Sequence, residues 1–66
     1  MIEMIITVLR NNGGWMSIRE IKDSILHKYG TMPDYGSIHQ LLNYTELANH
    51  VQKDATSKPQ KYILEQ

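Results

Sequence analysis

Few side chains in this chain have the types and spacing for chemistry, and those few point to hydrogen bonding and charge rather than bond making. The three histidines, at positions 27, 39 and 50, never fall at the i, i+4 spacing that puts two imidazoles on one helix face, and no cysteine stands beside them. Zinc is therefore not expected. No nucleophile has a base at motif spacing, no glycine-rich phosphate loop occurs, and no His-Glu-x-x-His is present. A chain of 66 residues also has little volume in which to enclose a catalytic pocket. These residues predict a protein that is not an enzyme and carries no metal or cofactor. What remains is a polar series, Ser37, His39, Gln40 and Asn43, and a cationic tract, Thr56 to Lys61, with two lysines and no carboxylate.

Those residues need elements to hold them, and length sets the scale. A single domain, 1–66, is expected. A domain of this size buries only about 60% of its unfolded surface. With no disulfide to help, its stability must come from efficient helix packing or self-association. Met1 to Leu9 lacks a basic leader and a small-residue cleavage site, so no signal peptide is expected. No apolar run approaches the ~20 residues of a membrane span. The expectation is a soluble, cytoplasmic protein without membrane attachment. Seven basic and seven acidic side chains balance, so the strong basicity that by itself marks a nucleic-acid binder is absent. The charge is unevenly spread: residues 1–50 carry four cations against five carboxylates, and residues 51–66 carry three against two.

Ile2, Ile5, Ile6 and Leu9 repeat at helical spacing and predict a first helix that stops at Asn11-Asn12-Gly13-Gly14, with Gly13 or Gly14 as the left-handed cap. Met1, Met4 and Val8 fall on its other side. That side is either covered within the chain or is a two-fold dimer patch, giving a homodimer through the first helix. Trp15-Met16 is a short apolar step, with Trp15 expected as an anchor under the hairpin. Ser17-Ile18-Arg19-Glu20 is a capping box opening a second helix, with Ile18, Ile21, Ile25 and Tyr29 as its buried stripe and Gly30 as its end. Pro33 suits the first turn of a third helix, which starts at Met32 or Asp34. Ile38, Leu41, Leu42 and Thr45 line its inner face. The helix must end or bend near Tyr44 to Glu46 for Leu47 to return to the core. Val51 to Ala55 and Lys61 to Glu65 predict two strands around a turn holding Pro59, with Tyr62 and Leu64 facing inward. The expected core is Ile5, Leu9, Ile18, Ile21, Ile25, Ile38, Leu41, Leu42, Leu47, Tyr62 and Leu64.

The order is helix, short strand, helix, turn, helix, hairpin. It resembles the winged helix-turn-helix superfamily over essentially the whole chain. Trp15-Met16-Ser17-Ile18-Arg19-Glu20-Ile21 looks like that superfamily's lead into its second helix, Ser37-Ile38-His39-Gln40-Leu41-Leu42 like its third, and Lys61-Tyr62-Ile63-Leu64 like its closing wing strand. The match is one of pattern and assigns no subfamily. The implied fold is mainly α with a small β-hairpin, three helices plus a two- or three-stranded wing sheet.

The resemblance also implies a function: a small DNA-binding protein, a bacterial or phage transcriptional regulator, that inserts its third helix in the major groove of double-stranded DNA and lays the wing on the backbone. The face offered would be Gly36, Gln40 and Asn43, with Ser37, His39 and Tyr44 on its flanks. Gln and Asn can pair bidentately with adenine, and Ser or His can donate to several base edges. Tyr35 and Tyr44 would touch phosphate or sugar, or pack on the second helix. Lys58 and Lys61 would contact phosphates, helped by Ser57 or Thr56; a charged tip that resists edge pairing would have the same composition. No Arg or Lys occurs from Pro33 to His50, a departure from a DNA-reading helix. The alternative is a winged-helix module that binds another protein and no DNA.

Overall fold

The structure, a computed structural model, describes residues 1–65; Gln66, the last residue of the expected domain, lies outside them. The first helix, α1, spans Ile2–Asn12 and ends at Gly13, whose φ of 70° is the left-handed conformation that glycine adopts without steric cost. The Gly13 N–H donates to the Leu9 carbonyl at 3.1 Å. A two-residue strand, β1 (Met16–Ser17), leads directly into α2 (Ile18–Tyr29). The capping box forms in full: the Glu20 N–H donates to Ser17 Oγ at 3.2 Å, and the Ser17 N–H donates to Glu20 Oε1 at 2.9 Å. Gly30, with φ of 71°, closes α2 through its N–H on the Leu26 carbonyl.

Asp34 is the residue that starts α3 (Tyr35–Tyr44): its carboxylate accepts from the Ser37 N–H at 3.3 Å. Pro33 therefore precedes the cap instead of standing in the first turn, and it is buried there. Thr45 ends α3 as expected from the position of Leu47. Its hydroxyl donates to the Leu41 carbonyl at 2.6 Å and accepts from the Leu47 N–H at 3.3 Å. A 3-10 turn, Glu46–His50, follows and carries Leu47 back into the core. Strands β2 (Val51–Asp54) and β3 (Lys61–Leu64) then form the hairpin. The sheet is antiparallel in the order β1-β3-β2, so the last strand is central. Tyr62 stands opposite Met16 on one side and Lys53 on the other. Three helices and a three-stranded sheet in this order make a mainly α fold with a small hairpin, compatible with a winged helix-turn-helix arrangement.

The core joins Ile5, Val8 and Leu9 of α1 to Ile18, Ile21 and Ile25 of α2, Ile38 and Leu42 of α3, and Met16, Leu47, Val51 and Tyr62. Leu41 and Leu64 are only half-buried and pack against its edge. Three further positions, Ile2, Trp15 and Tyr29, differ from expectation, and at Val8 the burial favours cover within the chain. Val8 is 4% exposed, so the proposed outer patch of Met1, Met4 and Val8 loses its central member to the core. Ile2 is exposed instead, because it lies in the first turn of α1, where cover runs out. Trp15 is 43% exposed and Met16 is buried: neighbouring residues along extended backbone face opposite ways, so only one of the two can enter the core. The bridge is accordingly Met16–Ser17 and not Trp15–Met16. Tyr29, placed in the buried stripe of α2, is exposed at the last helical position, with the Lys28 ammonium 5.8 Å from its ring centre. Among the described residues, no helix is long and apolar enough to cross a membrane.

Candidate nucleic-acid interface

Helical geometry divides α3 into four strips. Ile38 and Leu42 enter the core. Gly36, Ser37, Gln40 and Tyr44 are exposed. His39 and Asn43, one turn apart, are half-buried on the flank toward the sheet, and Leu41 and Thr45 are half-buried on the other. On that second flank Ser37, Gln40, Leu41 and Thr45 meet Met1 around an open groove of about 370 Å³. Tyr35 and Tyr44 are both well exposed, at 50% and 75%. The His39 and Tyr44 rings lie 6.1 Å apart between centres, tilted at 59°.

The two amides on the presented face differ. Gln40 makes no side-chain hydrogen bond among the described residues. Asn43 is engaged: its Nδ2 donates to the His39 carbonyl at 2.8 Å and to the Tyr62 hydroxyl at 3.0 Å. A bidentate grip on adenine needs both the donor and the acceptor of an amide, so Gln40 is free for it and Asn43 is not. Gly36 has no conformational need for glycine; a Cβ there would meet only the Asp34 carboxylate, at 3.1 Å.

The hairpin tip is organised by Asp54. Its carboxylate accepts from the Thr56 N–H at 3.1 Å, the Thr56 hydroxyl at 2.6 Å and the Ser57 hydroxyl at 2.8 Å. These bonds, first those from the Thr56 and Ser57 hydroxyls, hold the Asp54 carboxyl below its ordinary range. Both hydroxyl protons are thereby used inside the turn, and Ser57 and Thr56 shape the wing before they can donate to any phosphate.

The wing lysines are not equivalent. Lys58 is exposed at the tip. Lys61 is half-buried and stands opposite both Ser17 and Asp54, on the face of the sheet away from Tyr62. It also lies near Glu20, whose carboxyl is held low by the Ser17 backbone N–H and, to a smaller extent, by the Ser17 hydroxyl and the Lys61 charge. The Glu20 carboxylate thus tempers Lys61. Lys53 is a functional candidate that the sequence did not single out. It is exposed and directly opposite Tyr62, so it shares the sheet face that Tyr62 turns toward α3. Its side follows from the register set by the connection 55–60, and that register is not written in local residue types.

Among the described residues, no group of three or more His, Cys, Asp or Glu side chains is placed to hold a metal ion. No family model, no curated protein and no solved structure matches this chain.

Proposed function

We propose that this chain binds double-stranded DNA as a small cytoplasmic winged-helix regulator of transcription, of the bacterial or phage kind. Helix α3 enters the major groove and the wing lies on the adjacent backbone. The observation that carries this reading is the joint placement of an exposed, unengaged Gln40 on a helix without carboxylates and of Lys53 and Lys58 on the neighbouring wing. Gln40 reads a base edge, with Ser37, His39 and Tyr44 beside it; Lys53 and Lys58 hold phosphates, and Lys61 contributes less. Phosphate contacts position a protein and base contacts specify the site. Gel shift against a pool of random duplexes at low and moderate salt tests the reading. Retarded duplex with a salt slope near 2, from ~0.9 per phosphate neutralised, supports it. No retardation at low salt removes it.

A second reading is favoured by one observation: α3 carries no cation, while Tyr35, Tyr44 and Met32 expose large apolar surface around it. In that reading the same face docks on a protein partner. It predicts binding that ignores salt and is abolished by Tyr44→Ala but not by Lys58→Ala.

A further inference from the structure

Helix α3 lies closest to α2 and to the 3-10 turn, not to the sheet. Among the described residues a single side-chain hydrogen bond joins it to the sheet, from Asn43 Nδ2 to the Tyr62 hydroxyl at 3.0 Å. Both ends of that bond are fixed. Tyr62 is fully buried on the central strand, and Asn43 is held against its own helix through the His39 carbonyl, which forces the amide nitrogen, not its oxygen, toward the phenol. Tyr62 is also the residue opposite Lys53. A short path therefore runs from the reading face of α3, through Asn43 and Tyr62, to the wing lysine that shares the Tyr62 face.

We propose that Asn43 is a positioning residue: with Tyr62 it pins the wing to α3 at a fixed angle, so that helix and wing lysines engage one duplex together. The functional consequence rests on the DNA-binding reading above; the pin itself does not. Tyr62→Phe is the discriminating variant, because it keeps the buried ring, removes only the hydroxyl, and lies out of reach of any duplex. Asn43→Ala removes the other end.

In the free protein, residual dipolar couplings and amide relaxation of residues 51–64 should show the wing reoriented or more mobile in both variants, with α1 and α2 unchanged. On duplex DNA, each variant should lose affinity by about fivefold to tenfold, the worth of one net hydrogen bond. The double variant should lose no more than the worse single one. The salt slope should fall toward that of a Lys53→Ala, Lys58→Ala protein, while discrimination by Gln40 is kept. A merely destabilising change would lower the folded fraction without altering the slope. Should Asn43→Ala abolish site discrimination while Tyr62→Phe leaves affinity, slope and wing order intact, Asn43 contacts DNA directly and the pin is wrong. Unchanged wing order in both variants overturns it as well, whether or not DNA is bound. If the wild-type chain binds no duplex, the DNA reading fails and the wing measurements alone decide the pin.

Discussion

Helix α3 and the wing divide the polar work in opposite ways. On α3 there is no charge to offer, and of two amides one is free and one is spent on Tyr62. On the wing the charges are free, at Lys53 and Lys58, and the hydroxyls are spent on Asp54. A short hydroxyl or amide near the backbone finds an internal partner easily, whereas a long lysine carries its ammonium out to water. In the proposed DNA-binding reading the contrast gives the two regions different tasks: the wing would supply affinity without sequence information, and α3 discrimination with little charge.

The largest effect that separates them is on stability. Ile38 and Leu42 root α3 in the core, whereas the wing tip is anchored by surface bonds. Leu42→Ala should cost ~2–5 kcal/mol. At ~0.05–0.15 kcal/mol per residue, a domain of this size has only about 3–10 kcal/mol to lose. Urea unfolding should show a midpoint moved strongly toward zero denaturant. Lys58→Ala should shift the midpoint by under ~0.5 kcal/mol. Equal effects from the two would mean that α3 is not part of the core.

Binding sharpens the contrast next. Gln40→Ala should cost ~1–3 kcal/mol on a preferred site and little on random duplex. Lys53→Ala together with Lys58→Ala should weaken every duplex alike and remove roughly 2 from the salt slope. Lys61→Ala should change the slope least, because that lysine is half-buried and Glu20 already tempers its charge. Fluorescence anisotropy over a salt series measures all three. A Lys61→Ala protein with the flattest slope would reverse the assignment of the wing faces.

The elements and most of the core could be read in the chain because their signals are local. Ser17 and Glu20 at capping-box spacing, Gly13 and Gly30 just past apolar periodic runs, and the need to return Leu47 inward all set boundaries without knowledge of the tertiary fold. Burial at the margins was less legible. Whether Val8 or Ile2 is covered depends on what packs over each end of α1, and whether Trp15 or Met16 enters the core depends on the phase of a two-residue strand. The candidate site was legible in its location and not in its commitments. Residue types announce that Asn43, Ser57 and Thr56 can form hydrogen bonds, but not that Tyr62 and Asp54 already take them. Lys53 was hidden for the same reason, since its face is set by pairing with Tyr62 across the hairpin.

A smaller effect compares the two helix starts. Ser17 is buried in a complete capping box and Asp34 is an exposed single cap. Ser17→Ala should cost about 1–2 kcal/mol and Asp34→Ala nearer 0.5–1 kcal/mol, read from paired thermal melts. A larger loss at Asp34 would show that the turn before α3, and not the cap of α2, limits the helix pair.

Acid gives the finest separation, because one lowered carboxyl belongs to the helical body and the other to the wing. The Glu20 carboxyl is held below its ordinary value of 4.5 chiefly by the Ser17 backbone N–H, and Asp54 below 3.8 chiefly by the Thr56 hydroxyl. A carboxyl whose folded value is depressed stabilises the folded state in full above its unfolded value, and that contribution is lost as pH falls through the folded one. Neither group should therefore make stability depend on pH above about 5. Below 4.5 the Glu20 contribution declines and the whole domain should melt at lower temperature, since α2 is embedded in the core. Below 3.8 protonated Asp54 weakens its grip on Thr56 and Ser57, and the result should be local: faster amide exchange at residues 55–60 with little change in the melt. Glu20→Gln should remove the first response and leave the second; Asp54→Asn should do the reverse. If Asp54→Asn instead lowers the global melting temperature as much as Glu20→Gln at neutral pH, the wing turn is coupled to the core through more than its register. The contrast between a rooted helix and a surface-held wing tip would then no longer hold.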